Sequence, residues 1–238
     1  MVEQFLDGIE MSVFAVTDGK DFVLLPDAKD YKRIGKGDTG LNTGGMGAIS
    51  PVPFADPVFM EKVLEKIVKP TITGFEKDNL AYQGFVFFGL IKIGDEPFVI
   101  EYNCRMGDPE TEVVLPRLKN DLLEILIATA QNKLQEIVVE MDERHACTIV
   151  AVSGGYPEAY QNGFEISGLD KITSTNSILF HAGAKEQDDK IVTHGGRVLC
   201  VTSFGKTLKE ATDRSVDALE KINFTGKYFR DDIGYEFK

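Results

Sequence analysis

The residues best suited to chemistry lie in VIEYNCRMGDPETE, 99–112. Side chains two apart on a strand share a face, so Glu101 and Asn103 are expected to point the same way, with Arg105 joining them if the strand continues. A carboxylate beside an amide oxygen suits a hard cation such as Mg²⁺, which takes few protein oxygens and completes its shell with phosphate oxygens or water. A neighbouring arginine can fork onto phosphate or carboxylate. An exposed strand end with an ordinary Glu–Arg pair is the competing account, and the spacing alone favours it. Two features shift the balance. Pro97–Ile100 is apolar, so the strand is expected to run through a core and deliver Glu101 to its carboxyl end, where open α/β sheets hold ligands. Gly107-Asp108-Pro109-Glu110 then makes a tight turn that adds two acids beside the same spot, and clustered carboxylates call for a cation or a polar ligand.

The second candidate is DYKRIGKGDTGLNTGGMGA, 30–48. Gly35–Gly40 reads G-x-G-x-x-G, but no hydrophobic strand ends before it and no helix can start among the glycines that follow, so a dinucleotide fingerprint is excluded. A P-loop is absent too. What remains is a glycine loop flanked by Lys32, Arg33 and Lys36, whose backbone N–H groups could approach an anion. A plain flexible surface loop fits equally well. His145, His181 and His194 lack metal-ligand spacing, and Ser153–Pro157 and Thr193–Arg197 read as turns.

These segments need a scaffold. The 238 residues carry 26 basic and 38 acidic side chains, a net charge of −12, with 43% hydrophobic residues. That is a globular composition, and its acidity disfavours nucleic acid or an acidic membrane as partner. Any phosphate must be held by local groups against the overall field. Cys104, Cys147 and Cys200 form no metal or disulfide pattern, the first residues lack a basic leader, and GFVFFGLI is too short to span a bilayer. A cytoplasmic protein is expected.

Strand-like runs at VEQFL, 9–18 and 21–26 surround Asp18-Gly19, a hairpin signal. Residues 34–50 read as a loop. Pro57 after Asp56 starts a helix carrying Phe59, Val63 and Ile67, with a kink or restart at Pro70 before Phe75. Strands follow at 84–93 and 97–103. A helix at 121–131 has Asp121 as cap and Leu122, Ile125, Leu126 and Thr129 on one face. A second unit begins near His145, with strands in HACTIVAV, SILFHAG and RVLCVTSF. Its helix at 207–222 is capped by Thr207 and buries Leu208, Ala211, Ala218, Leu219 and Ile222.

The ordered set EQFLDGIEMS, DYKRIGKGDTGLNTGGMGA, VIEYNCRMGDPETE, SGGYP, FHAG, GGRVLCVT and RDDIGYEF resembles the phosphoribosylamine–glycine ligase (glycinamide ribonucleotide synthetase) family of ATP-grasp enzymes, over essentially the whole chain. The resemblance implies an α+β fold, with a second ATP-grasp lobe of largely antiparallel sheet and helices at 1–118. A connecting helix and linker at 119–144 and a small β-rich C-terminal domain at 145–238 would follow. It implies ATP, glycine and 5-phosphoribosylamine as substrates, Mg²⁺ or Mn²⁺ as metal, and glycyl phosphate as intermediate. Glu101 and Asn103 would be the metal ligands and Arg105 the catalytic phosphate-orienting group. Glu3, Gln4, Phe5 and Leu6 would form the adenine hinge, with Gln4 standing where the family usually has glutamate. Glu10 would take the ribose hydroxyls. Lys32, Arg33, Asn42, Thr43, Gly44, Gly45, Asp108 and Glu110 would face glycine and phosphoribosylamine.

The family's N-terminal domain and first ATP-grasp lobe have no counterpart here, so the missing N-terminal half is the expected partner. The chain alone would be weak or inactive and would expose an apolar face where that half packs. A non-catalytic nucleotide- or metabolite-binding module is the alternative. Another ATP-grasp enzyme, such as a carboxylase, is disfavoured by NTGGMGA and RMGDPE.

Overall fold

The structure, a computed structural model, describes residues 4–237. Its first turn is made by Asp18-Gly19. The Asp18 carboxylate accepts from the N–H groups of Lys20 and Asp21, and Gly19 supplies a φ of +96°. That turn joins β1 (Ile9–Thr17) to β2 (Phe22–Leu24). Gln4–Leu6, part of the expected strand VEQFL, form no strand, and Val2 and Glu3 lie outside the described residues.

Next come β3 (Lys29–Gly35), β4 (Thr39–Ser50), α1 (Pro57–Val63) and α2 (Lys69–Lys77). Then follow β5 (Gly84–Ile93), β6 (Glu96–Asn103), α3 (Thr111–Arg117) and α4 (Leu122–Ala130). The remainder holds β7 (His145–Val152), β8 (Ser177–His181), β9 (Ala184–Gln187), β10 (Lys190–Thr193), β11 (Arg197–Gly205) and α5 (Leu208–Lys221). None of the helices among the described residues is long and apolar enough to cross a membrane.

The contacts divide the chain into two units. The first takes residues up to Lys29, Pro51–Gly107 and Val114–Glu143. Its antiparallel sheet runs β2-β1-β5-β6, and Met11, Val13, Phe59, Val63, Ile72, Phe88 and Leu90 make its core with α1 and α2. Asp56 caps α1 through the Phe59 N–H at 2.8 Å. A π-turn at Leu64–Val68 separates α1 from α2, with Pro70 in the first turn of α2 where its missing N–H is harmless. Asp121 caps α4 as expected, but the buried face is Ile125, Ala128 and Thr129, while Leu126 is exposed. Strand β6 does not run through a core. It is an edge strand with Phe98, Ile100 and Tyr102 exposed, since among the described residues only β5 pairs with it.

The second unit holds Asp30–Ser50, Asp108–Val113 and Arg144–Lys238. Its five strands run β3-β4-β7-β11-β8, and α5 packs Leu208, Ala211, Ala218 and Leu219 into a core with Ile49, Ile149 and Leu199. Residues 34–50 are therefore not one long loop but the end of β3, a turn at 36–38 and the whole of β4. Gly47 is there for close approach: a Cβ on it would stand 2.6 Å from the Thr148 carbonyl oxygen.

Candidate functional site

In the first unit, the pairing of β5 with β6 sets which side chains face together. Glu10, Ile91 and Phe98 are register partners, as are Ser12, Gly89 and Glu101, and Phe14, Phe87 and Asn103. The register skips Ile100, a bulge that shifts the alternation by one, so Phe98 and Glu101 share a face although they stand three positions apart. Asn103 Nδ2 donates to Glu101 Oε1 at 3.0 Å, so the expected pair is side by side. Gly89 clears the space beneath it, because a Cβ there would meet Glu101 Cγ at 2.9 Å. Strand β6 ends at Asn103, and Arg105 leaves the alternation to donate to the Met106 carbonyl at 2.8 Å.

A cleft of about 560 Å³ opens against this sheet, lined by Gln4, Phe5, Leu6, Glu10, Ile91, Phe98, Val99 and Ile100. That size suits a nucleobase with its sugar, and the exposed Phe5 and Phe98 offer apolar faces to it. Glu3, expected at the same hinge, lies outside the described residues. No cluster of three or more metal-ligating His, Cys, Asp or Glu side chains occurs among the described residues. The Glu101–Asn103 pair still fits Mg²⁺ or Mn²⁺, because a hard ion carried by phosphate needs only one or two protein oxygens.

In the second unit, two of the other expected residues, Gly44 and Asp108, meet at Arg197, which sequence reading passed over as the end of a turn. Its guanidinium forks onto both carboxylate oxygens of Asp108, at 2.7 and 2.8 Å, and also donates to the Gly44 carbonyl at 2.9 Å. The Gly44 N–H donates to the Tyr156 hydroxyl at 3.0 Å. Thr43 Oγ1 donates to the Lys32 carbonyl and accepts from the Gly45 N–H. Gly45 has a φ of +116° and lies against Pro109, where a Cβ would stand 2.4 Å from Cδ. Lys32 pairs with Asp30 at 3.2 Å with half its side chain exposed, and Arg33 donates to the Gly40 carbonyl. Asn42 is exposed and Glu110 buried.

Glu112 Oε2 is buried with no hydrogen-bond partner among the described residues. Burial raises its pKa, its own backbone N–H opposes the rise, Asp108 adds to it and Arg197 counters. The Arg197 guanidinium itself is desolvated, but its bonds to Asp108 outweigh that and hold its pKa above the ordinary value. No periodicity could have revealed Arg197, because its partners Asp108 and Gly44 lie 89 and 153 residues away.

Two family models match. The phosphoribosylglycinamide synthetase ATP-grasp (A) domain covers residues 1–111, and the phosphoribosylglycinamide synthetase C domain covers 146–236. A phosphoribosylamine–glycine ligase from Chlorobaculum tepidum is 48% identical over 98% of this chain and 55% of its own length. One from Haemophilus influenzae is 43% identical over 99% of the chain and 55% of its own length. The crystal structure of the Thermotoga maritima phosphoribosylamine–glycine ligase superposes with a TM-score of 0.82 at 37% identity, over 97% of this chain and 56% of that one. The chain thus spans about 55% of the length of the curated relatives it matches.

Proposed function

The chain belongs to the phosphoribosylglycinamide synthetase family, and on that premise we propose that it forms part of an ATP-dependent ligase joining glycine to 5-phosphoribosylamine. The observation that carries this reading is the single sheet face holding Glu10, Phe98, Glu101 and Asn103 beside the cleft of the first unit.

In the proposed reaction the γ-phosphoryl group passes to the glycine carboxylate, giving glycyl phosphate and ADP. The amine of phosphoribosylamine then attacks the acyl carbon, phosphate leaves, and the nitrogen loses a proton to solvent. No enzyme nucleophile is required, so positioning and charge stabilisation do the work. A bound Mg²⁺ or Mn²⁺ supplies charge neutralisation on the transferring phosphoryl group. Glu101 and Asn103 would hold it. Gln4, Phe5, Leu6 and Phe98 would seat the base, Glu10 the ribose hydroxyls, and Arg105 would orient phosphate. With a net charge of −12 the protein repels free phosphate, which is why nucleotide is expected to arrive with its metal.

In the second unit Lys32 and Arg33 would take the phosphate of phosphoribosylamine. Asn42, Thr43, Gly44, Gly45, Asp108 and Glu110 would contact the two substrates. Catalysis is proposed to need the portion of the relatives' length that this chain does not span, because a site covered from one side admits water. The domain division at 1–118, 119–144 and 145–238 and a cytoplasmic location belong to the same reading.

Supplying the chain with that remaining portion is the test. Glycine-dependent ADP release supports the ligase. Tight Mg-ATP binding without turnover would support a non-catalytic binding module instead.

A further inference from the structure

The outer half of β4 has little reason to stay in place. Thr39–Asn42 and Gly44 are exposed, and only Gly47–Ser50 pair with β7. A two-stranded ribbon projecting from a sheet is marginal in water, and Gly40, Gly44 and Gly45 add backbone freedom. Yet both its ends are clamped by arginines from far along the chain.

At one end Arg197 holds the Gly44 carbonyl while forking onto Asp108, and Gly44 leaves room for it, since a Cβ there would stand 3.2 Å from Cζ. At the other, Arg230 is fully buried. Its Nε and Nη2 fork onto Asp232 at 2.8 and 2.9 Å, and Nη1 donates to Asp38 at 2.6 Å and to the Arg33 carbonyl at 3.1 Å. Asp232 also accepts from the Gly37 N–H at 2.7 Å. The turn before β4 and its sixth residue, Gly44, are therefore pinned independently.

We propose that Arg197 and Arg230 are positioning residues that preset the 39–45 segment for substrate. The inference rests on the reading that Asn42–Gly45 and Asp108 contact glycine or phosphoribosylamine. Planar forks suit this task, because a guanidinium fixes orientation where an ammonium fixes only distance.

Hydrogen exchange on the whole chain, with Arg197→Met and Arg197→Lys, tests the clamp; Asp38→Asn loosens the other end without emptying the buried Arg230 site. Arg197→Met is expected to raise exchange at 43–46 by about tenfold or more, with β7, β11 and α5 unchanged, and Arg197→Lys to restore little of the protection. In the active ligase the same variants should raise KM for glycine or phosphoribosylamine about tenfold while kcat changes far less. Unchanged exchange at 43–46, or a rise spread evenly through β7 and β11, would overturn the proposal. Asn42→Ala and Thr43→Ala separate it from its premise. If they leave both KM values unaltered, the substrate reading fails; if they raise KM and Arg197→Met does not, the clamp alone fails.

Discussion

Replacing Gly89 by alanine should damage nucleotide binding without damaging the fold. Gly89 sits in β5 without a positive φ, so alanine meets no backbone strain. The added Cβ would lie 2.9 Å from Glu101 Cγ and 3.2 Å from Phe87 Cε1. Carbon contacts settle near 3.5–4.0 Å, so the Glu101 side chain must retreat by roughly 0.5–1 Å. Mg²⁺ demands near-ideal ligand geometry, and a misplacement of about 1 Å can cost on the order of 100-fold. The expected loss in kcat/KM for ATP is about 10- to 100-fold, or about 1.4–2.7 kcal/mol. Alanine in a strand recovers roughly 0.5–1 kcal/mol relative to glycine, so Tm should hold or rise slightly. The assay pairs Mn²⁺ binding by electron paramagnetic resonance, with a non-hydrolysable ATP analogue, with thermal unfolding. Metal–nucleotide affinity within about twofold of the parent protein would refute the reasoning.

Three further outcomes follow from single sites. Burial pushes the Asp27 carboxyl up from 3.8 to about 6, against the opposing Val52 N–H and Arg117. Its contribution to stability is therefore complete below about pH 4 and lost as pH rises through 6, an effect of about 3 kcal/mol, and unfolding curves of Asp27→Asn should lack that decline; parallel pH profiles for the two proteins would contradict it. Thr207 Oγ1 accepts from the Glu210 N–H, and the Glu210 carboxylate accepts from the Lys206 N–H just before the cap, so Thr207→Ala should lower stability by about 1 kcal/mol in urea titration. Cys104 is exposed, whereas burial raises the Cys200 pKa and Cys147 is buried too, so native alkylation followed by mass spectrometry should label Cys104 alone.

Features set by neighbours in sequence were legible. The Asp18-Gly19 turn, the Asp56, Asp121 and Thr207 caps, and the buried positions of α5 all depend on residues within a few places of one another. The errors lie where distant contacts decide. Residues 34–50 look like a loop because they are polar and glycine-rich, but β7 and Pro109 fix them from outside. The apolar Pro97–Ile100 run suggested a covered strand, yet β6 lies at the sheet edge. The Glu101–Asn103 pair was visible as alternation. The Ile100 bulge that adds Phe98 to the same face was not, because register is a property of two strands.

The central claim is that the Glu101–Asn103 face serves an ATP-dependent ligation of glycine. Labelled glycine, incubated with ATP, Mg²⁺, phosphoribosylamine and an active ligase containing this chain, measures it directly. Glycine should enter glycinamide ribonucleotide in step with ADP release, and Glu101→Gln should abolish both. ADP formed with bicarbonate in place of glycine, or glycine incorporation unaffected by Glu101→Gln, would contradict the account.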